Sequence, residues 1–255
     1  MRLPDFAAVR KLFNRFLNLF AKDKYLAYKV SMFYKDFSEF EKLNTDGRFL
    51  LDKKDIYPCL DDNTGTTNFD AHYTYHPAWA ARIVKEINPE LHVDISSTLH
   101  FCSILSAFVK TAFYDYRPAS LKLDNLESRH ADLVQLPFAN DSINSLSCMH
   151  TIEHVGLGRY GDPLDPGGDL KAFAELKRVC GVKGNLLIVV PVGVKKLQFN
   201  THRIYDPYDI VKYMAGFELK KFALVDDKGD FDDHSDLAIA AAQQYGCGCF
   251  WFVKI

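Results

Sequence analysis

Ser145-Leu146-Ser147-Cys148-Met149-His150-Thr151-Ile152-Glu153-His154-Val155 opens a stretch that closes in Asn185-Leu186-Leu187-Ile188-Val189-Val190-Pro191. Its first part continues an apolar strand, residues Ile143–Met149, and turns polar at His150. Its last part is a short run of leucine and β-branched residues, the composition of a strand covered on both faces. Between them, apolar residues at 170, 173, 176 and 179 mark one face of a helix over 170–179. Strand, polar loop, helix and buried strand make a βαβ unit, whose two strands lie parallel.

The same alternation extends outward. Upstream, the pattern predicts strands over Leu91–Ile95, 111–115 and 129–134, with a helix over 101–109. Downstream it predicts a helix over 208–214 and strands over 218–225 and 247–253. No helical pattern joins these last two strands, so they are expected to pair antiparallel at one sheet edge. Alternating strands and helices specify a doubly wound, Rossmann-like α/β fold with a mostly parallel sheet and an antiparallel C-terminal strand. This domain is assigned to residues 91–255. Residues 46–90 form an irregular connection and a lead-in helix over 78–86, with Pro77 in its first turn and Asn88-Pro89 as its stop.

Residues 1–45 read as amphipathic helices. Phe6, Val9, Phe13, Phe16, Leu17 and Phe20 share one face, and a second helix is expected over 25–43. Residues 1–30 carry seven Lys/Arg against two Asp. Such a segment suits an anionic membrane surface, or packing on the domain or on a second subunit. The whole chain of 255 residues has a net charge of −2, which offers nucleic acid no electrostatic attraction. No apolar run approaches the roughly 20 residues of a membrane span, and no leader pattern is visible. Of six cysteines, four lie in apolar surroundings and none forms a CxxC pair. That usage is expected of reduced thiols in the cytoplasm, including one that works at the inner face of the membrane.

In a doubly wound sheet, ligands bind outside the carboxyl ends of the strands. Asp94 ends the first strand among apolar neighbours and needs partners from the following loop or from a ligand's ammonium group. Asp115 lies about 20 residues further on, where a carboxylate can accept both hydroxyls of a ribose; the alternative is a surface turn at Asp115-Tyr116-Arg117-Pro118. His150, His154 and His202 are candidate general bases. Glu153 stands with them, as a catalytic group or as a loop cap. Arg159 and Arg203 could hold an anionic acceptor. The long loop 156–168, with five Gly and two Pro, reads as an acceptor-side loop. His150-Thr151-Ile152-Glu153-His154 also fits H-x-x-E-H, though it starts at a strand end and runs into glycines. A divalent metal on His150, Glu153 or His154 with Asp162 is a further option.

Asp132-Leu133, Leu136-Pro137-Phe138, a strand, Glu153-His154-Val155, a helix and then Arg178-Val179 leading to Pro191 resemble the second half of the class I S-adenosylmethionine (SAM) methyltransferase fold. The resemblance spans about residues 72–255. More narrowly, the chain resembles the family catalogued as domain of unknown function 268. The blocks that carry this are His72-Tyr73, His92-Val93-Asp94, Ser145 to Cys148, Glu153-His154 into Gly156 to Pro163, Phe199-Asn200 with His202-Arg203, Val225-Asp226-Asp227 and Tyr245 to Gly248. The resemblance implies a cofactor loop at Asp94, Ser96 and Ser97, a ribose ligand at Asp115, and adenine neighbours at Asp132 and Leu133. His72 and Tyr73 would approach the cofactor or the acceptor. Arg159, Tyr160, Asp162, Asn200 and Arg203 would face the acceptor. One departure is clear: the methyltransferase Gly-x-Gly is here Ser96-Ser97-Thr98.

Three function classes follow. The first is SAM-dependent O-methylation of a small-molecule or glycan acceptor, since the resemblance points to surface-polysaccharide pathways. The second is a catalytically silent binding or scaffold subunit, and the third a metal-dependent enzyme built on His150, Glu153 and His154.

Overall fold

The computed structural model describes residues 6–255, with side chains from Asp23 onward, so the predicted apolar face at Phe6 to Phe20 lies outside the described side chains. It divides into two compact units, Met1–Asn68 and Phe69–Ile255. In the first unit a single helix, α1 (Phe6–Leu43), replaces the two expected. Lys22-Asp23-Lys24 contains no glycine or proline to break it. No helix among the described residues is long and apolar enough to cross a membrane.

The second unit opens with α2 (Ala71–Ile87), capped by the Asp70 carboxylate, which accepts from the Tyr73 N–H at 3.0 Å. It starts at Ala71 rather than at 78, so Pro77 sits inside the helix and cannot donate to the Tyr73 carbonyl. The chain continues through β1 (Leu91–Ile95), α3 (Leu99–Leu105), β2 (Lys110–Asp115), β3 (Leu126–His130) and β4 (Ile143–Met149). Then come α4 (Gly168–Val179), β5 (Cys180–Val192), a small hairpin of β6 (Lys196–Gln198) and β7 (His202–Ile204), and α5 (Pro207–Tyr213). β8 (Phe217–Val225), β9 (Phe231–Asp232), α6 (Leu237–Ala241) and β10 (Gly246–Lys254) complete it.

The large sheet has the order β3-β2-β1-β4-β5-β10-β8-β9. Strands β1 to β5 are parallel, and β10 is antiparallel to both β5 and β8. The antiparallel pair is thus as expected, but β10 is interior to the sheet, inserted between β5 and β8. Together these features are the class I methyltransferase sheet. Alternation along β5 separates two cores. Leu187 and Val189 join Trp79, Ile83, Phe101 and Leu105 of α2 and α3. Leu186, Ile188 and Val190 join Phe173 and Leu176 of α4, with Ile210 of α5 and Met214 just beyond it. Helices on both faces explain why β5 is apolar and buried from Leu186 to Val192.

One polar stripe interrupts the α2/α3 side. His92 and Asp94 on β1 face Ser145 and Ser147 on β4, and all four are buried. The pattern of partners assigns the His92 tautomer: Ser145 Oγ donates to Nδ1 at 2.8 Å, and Nε2–H donates to Ser147 Oγ at 2.9 Å. Ser147 Oγ in turn donates to the Asp94 carboxylate, which also accepts from the Ser97 N–H at 3.0 Å. Burial holds His92 neutral, with its pKa lowered to about 3, and raises Asp94 to about 6 against the opposing hydrogen bonds.

The folded state therefore binds the Asp94 proton more tightly than the unfolded chain does. This contribution favours folding at low pH and is lost as pH rises through about 6. Unfolding free energies of the wild type and Asp94→Asn, measured at about pH 4 and about pH 7, should shift against the wild type by about 2 kcal/mol across that window. A difference that does not move with pH would show that Asp94 titrates normally.

Candidate functional site

The loop after β1 supplies the first wall of a cleft. Ser96 takes φ +58°, the left-handed conformation that glycine adopts without cost. It is held there by its N–H donating to the Tyr114 carbonyl at 2.7 Å and by Thr151 Oγ1 donating to its own carbonyl at 2.8 Å. Ser96 thus holds a left-handed turn at the end of β1 without a glycine. Ser97 is buried and ties the loop to β4, its Oγ accepting from the Met149 N–H at 3.0 Å. Thr98 caps α3. Asp94 lies beneath this loop, fully buried, and braces it from below instead of reaching the cleft.

The cleft encloses about 230 Å³ outside the carboxyl ends of β1, β2, β3 and β4. Ser96, Asp115, Asp132, Leu133, His150, His154, Tyr160 and Asp162 line it, as do Tyr116, Arg117, Ala131, Thr151 and Val155, which were not anticipated. One Asp115 oxygen accepts from the Arg117 N–H at 2.6 Å, so the surface turn and the cleft carboxylate coexist. Asp132 likewise accepts from the Val134 N–H at 3.1 Å. At the rim, two guanidinium groups lie near the Tyr160 ring, Arg117 at 4.8 Å and Arg159 at 5.1 Å from its centroid.

His150 closes the base of the cleft. It ends β4 in the left-handed region (φ +54°) and is almost wholly buried. Its Nδ1–H donates to Glu153 Oε1 at 2.9 Å, and its Nε2 lies 3.4 Å from Cys247 Sγ on β10. With both nitrogens engaged, His150 is not a free base as placed. The rings of Tyr73, His72 and His76 surround it at centroid distances of 5.3, 5.8 and 5.0 Å, which is how His72 and Tyr73 relate to the site. Burial holds the imidazoles of His72 and His76 neutral, lowering their pKa values to about 4 and about 3. Burial also pushes the Cys247 thiol well up.

Glu153 is buried between two imidazoles, with Oε1 also 3.7 Å from His154 Nε2. Its Oε2 has no hydrogen-bond partner among the described residues. The H-x-x-E-H reading fails on geometry: Ile152–His154 is one 3-10 turn, and the two histidines do not share a helical face. His154 donates from Nδ1 to the Thr201 carbonyl at 2.6 Å, which leaves Nε2 as its lone-pair nitrogen. His202 stacks on Tyr245 at 4.9 Å, and its Nε2 is buried without a partner among the described residues.

Three expected acceptor contacts are structural. Arg203 donates to the carbonyls of Val155 at 2.7 Å, Pro166 at 3.2 Å and Glu153 at 3.3 Å, and sits 3.5 Å from Asp169, so its guanidinium is consumed. Asn200 donates to the Leu157 carbonyl at 3.4 Å. The Asp162 carboxylate gathers the N–H groups of Gly156, Gly158 and Tyr160 and shapes the loop it belongs to. Gly156 is required in that loop, since a Cβ there would lie 2.0 Å from the Asp165 carbonyl oxygen.

No curated protein matches the chain. Among solved structures, a TehB-like SAM-dependent methyltransferase from Corynebacterium glutamicum is 14% identical, with 69% of this chain and 88% of that one covered and a TM-score of 0.46. The YcgJ protein of Bacillus subtilis is 12% identical, covering 70% and 99%, with a TM-score of 0.46. A SAM-dependent methyltransferase from Aquifex aeolicus is 14% identical, covering 73% and 100%, with a TM-score of 0.41. Residues 120–238 match the model of the family described as "Caenorhabditis protein of unknown function, DUF268", the family that the sequence blocks resemble, and the sheet around that match has the class I methyltransferase topology.

Proposed function

We propose that this protein binds SAM in the cleft outside β1 to β4 and transfers its methyl group to a hydroxyl of a carbohydrate or sugar-linked acceptor. The observation that carries this reading is the left-handed Ser96 turn set beside Asp115, Asp132 and Leu133 in one cleft at the switch point. Backbone can approach a methionine moiety closely at such a turn. The free oxygen of Asp115 can accept a ribose hydroxyl, and Leu133 offers an apolar edge to adenine.

Methyl transfer from a sulfonium to a hydroxyl needs in-line placement and a base for the departing proton. His154 suits the second task. Its Nδ1–H is fixed by the Thr201 carbonyl, and its ring lines the cleft. The rim suits a sugar or sugar phosphate: Tyr116 and Tyr160 offer faces for stacking, and Arg117 and Arg159 offer donors to an anionic group.

Calorimetry of the full chain with SAM and with S-adenosylhomocysteine should give saturable one-site binding, weakened about tenfold or more, roughly 1.4 kcal/mol, in Asp115→Ala. Heat-free titrations with both compounds would remove the cofactor from the reading. With a panel of sugar nucleotides and oligosaccharides as acceptors, His154→Asn should keep SAM affinity and lose about a hundredfold or more in S-adenosylhomocysteine release. Equal turnover in that variant would exclude His154 as the base.

A further inference from the structure

The set below the cleft contains more polar chemistry than folding or methyl transfer requires. His72 comes from the first turn of α2, His150 from the end of β4 and Cys247 from β10. One donor atom of each lies within 4.8 Å of the other two, and among the described residues this is the group so arranged. We propose that His72, His150 and Cys247 bind a zinc(II) ion.

Distance and chemistry both favour this assignment. Zinc takes imidazole nitrogen at about 2.1 Å and thiolate sulfur at about 2.3 Å in a tetrahedron, which sets the two donors roughly 3.6 Å apart. The observed separation of His150 Nε2 and Cys247 Sγ is 3.4 Å. Imidazole with thiolate is a borderline-to-soft donor set that suits zinc and disfavours magnesium or calcium. The Glu153 contact is the partner a ligating histidine commonly has. Its carboxylate accepts from His150 Nδ1–H at 2.9 Å, fixes the tautomer and aims the Nε2 lone pair at the cysteine.

Charge points the same way. Glu153 is 1% exposed, and its second oxygen has no partner among the described residues. A buried carboxylate in that state is costly. A divalent ion, one thiolate and one carboxylate sum to zero, so metal binding neutralises the cluster. Three protein ligands leave a fourth position for water or a ligand oxygen. Because His150 also lines the cleft, the ion would lie directly under it.

The test uses the full chain, purified without added metal or SAM and then titrated with zinc(II) alone or cobalt(II) alone. Zinc should bind at about one equivalent per chain, and cobalt should give a thiolate charge-transfer band with tetrahedral d–d absorption. Cys247→Ser should lose the band, and Glu153→Gln should weaken zinc about tenfold or more. His72→Gln, at a half-buried helical position that tolerates a polar side chain, should weaken zinc comparably while circular dichroism stays native. Cys59→Ser, which removes the exposed thiol, should bind as the wild type does. A folded protein that binds no zinc at micromolar concentration would overturn the proposal. So would stoichiometric binding that survives in both Cys247→Ser and His72→Gln. Neither result bears on SAM affinity, which is measured separately.

Discussion

The contact between Ser147 and the buried Asp94 carboxylate is the constraint on which the cleft depends. A carboxylate taken out of water costs several kcal/mol unless its lone pairs are met. Here the donors come from β4 and from the loop after β1, so satisfying the charge locks the two strands flanking the switch point. Ser97 ties the same strands a second time through the Met149 N–H. Held at both sides, the chain between Asp94 and Ser97 has little freedom, and Ser96 is turned into the left-handed region with its backbone against the cleft. A serine can stand where a glycine is usual because its neighbours over-determine the turn.

Much of the sheet was legible because apolar runs announce buried strands. Ile143–Met149 was read to the residue, and the two-sided apolar run of β5 declared a covered, parallel strand. What was missed was either non-local or too short to show a period. The place of β10 between β5 and β8 is set by pairing with strands distant in sequence, and alternation along one strand names its faces but not its neighbours. The β6–β7 hairpin is too short and too exposed to show a period, with Phe199 at its tip largely in solvent. α6 has five residues, too few for one either. Pro77 misled for a different reason. Proline is favoured in a first helical turn, but the Asp70 cap starts α2 earlier, and the helix tolerates the lost donor.

For the site, residues that follow strand ends were the readable ones, since topology alone sends them to the cleft. Asp115, Asp132, Leu133 and Ser96 all line it. Charged loop residues were less readable, because a guanidinium that serves carbonyl oxygens looks in sequence like one that serves a ligand. Arg203 is the clearest case: three carbonyls and Asp169 account for it. The His150–Cys247 contact had no signal at all. The two residues are 97 positions apart, and only the antiparallel insertion of β10 beside β5 brings the thiol to the end of β4.

That insertion gives His150 membership in two sets at once. It lines the cleft, while its nitrogens bind Glu153 and face Cys247. Glu153 Oε1 reaches His154 as well, so one carboxylate sits between the imidazole on the cleft wall and the imidazole over the thiol. In such a dry setting, charge on any member is felt by the others, because little solvent screens them. The electrostatics of the cleft floor are therefore fixed from below, by what occupies the space between His72, His150 and Cys247. A proton there leaves His150 cationic beside a carboxylate and a neutral thiol. A divalent ion leaves a neutral imidazole, a thiolate and a carboxylate of balanced charge. The Nδ1–H contact with Glu153 is compatible with either state, so the charge of the floor can differ without a change of partner.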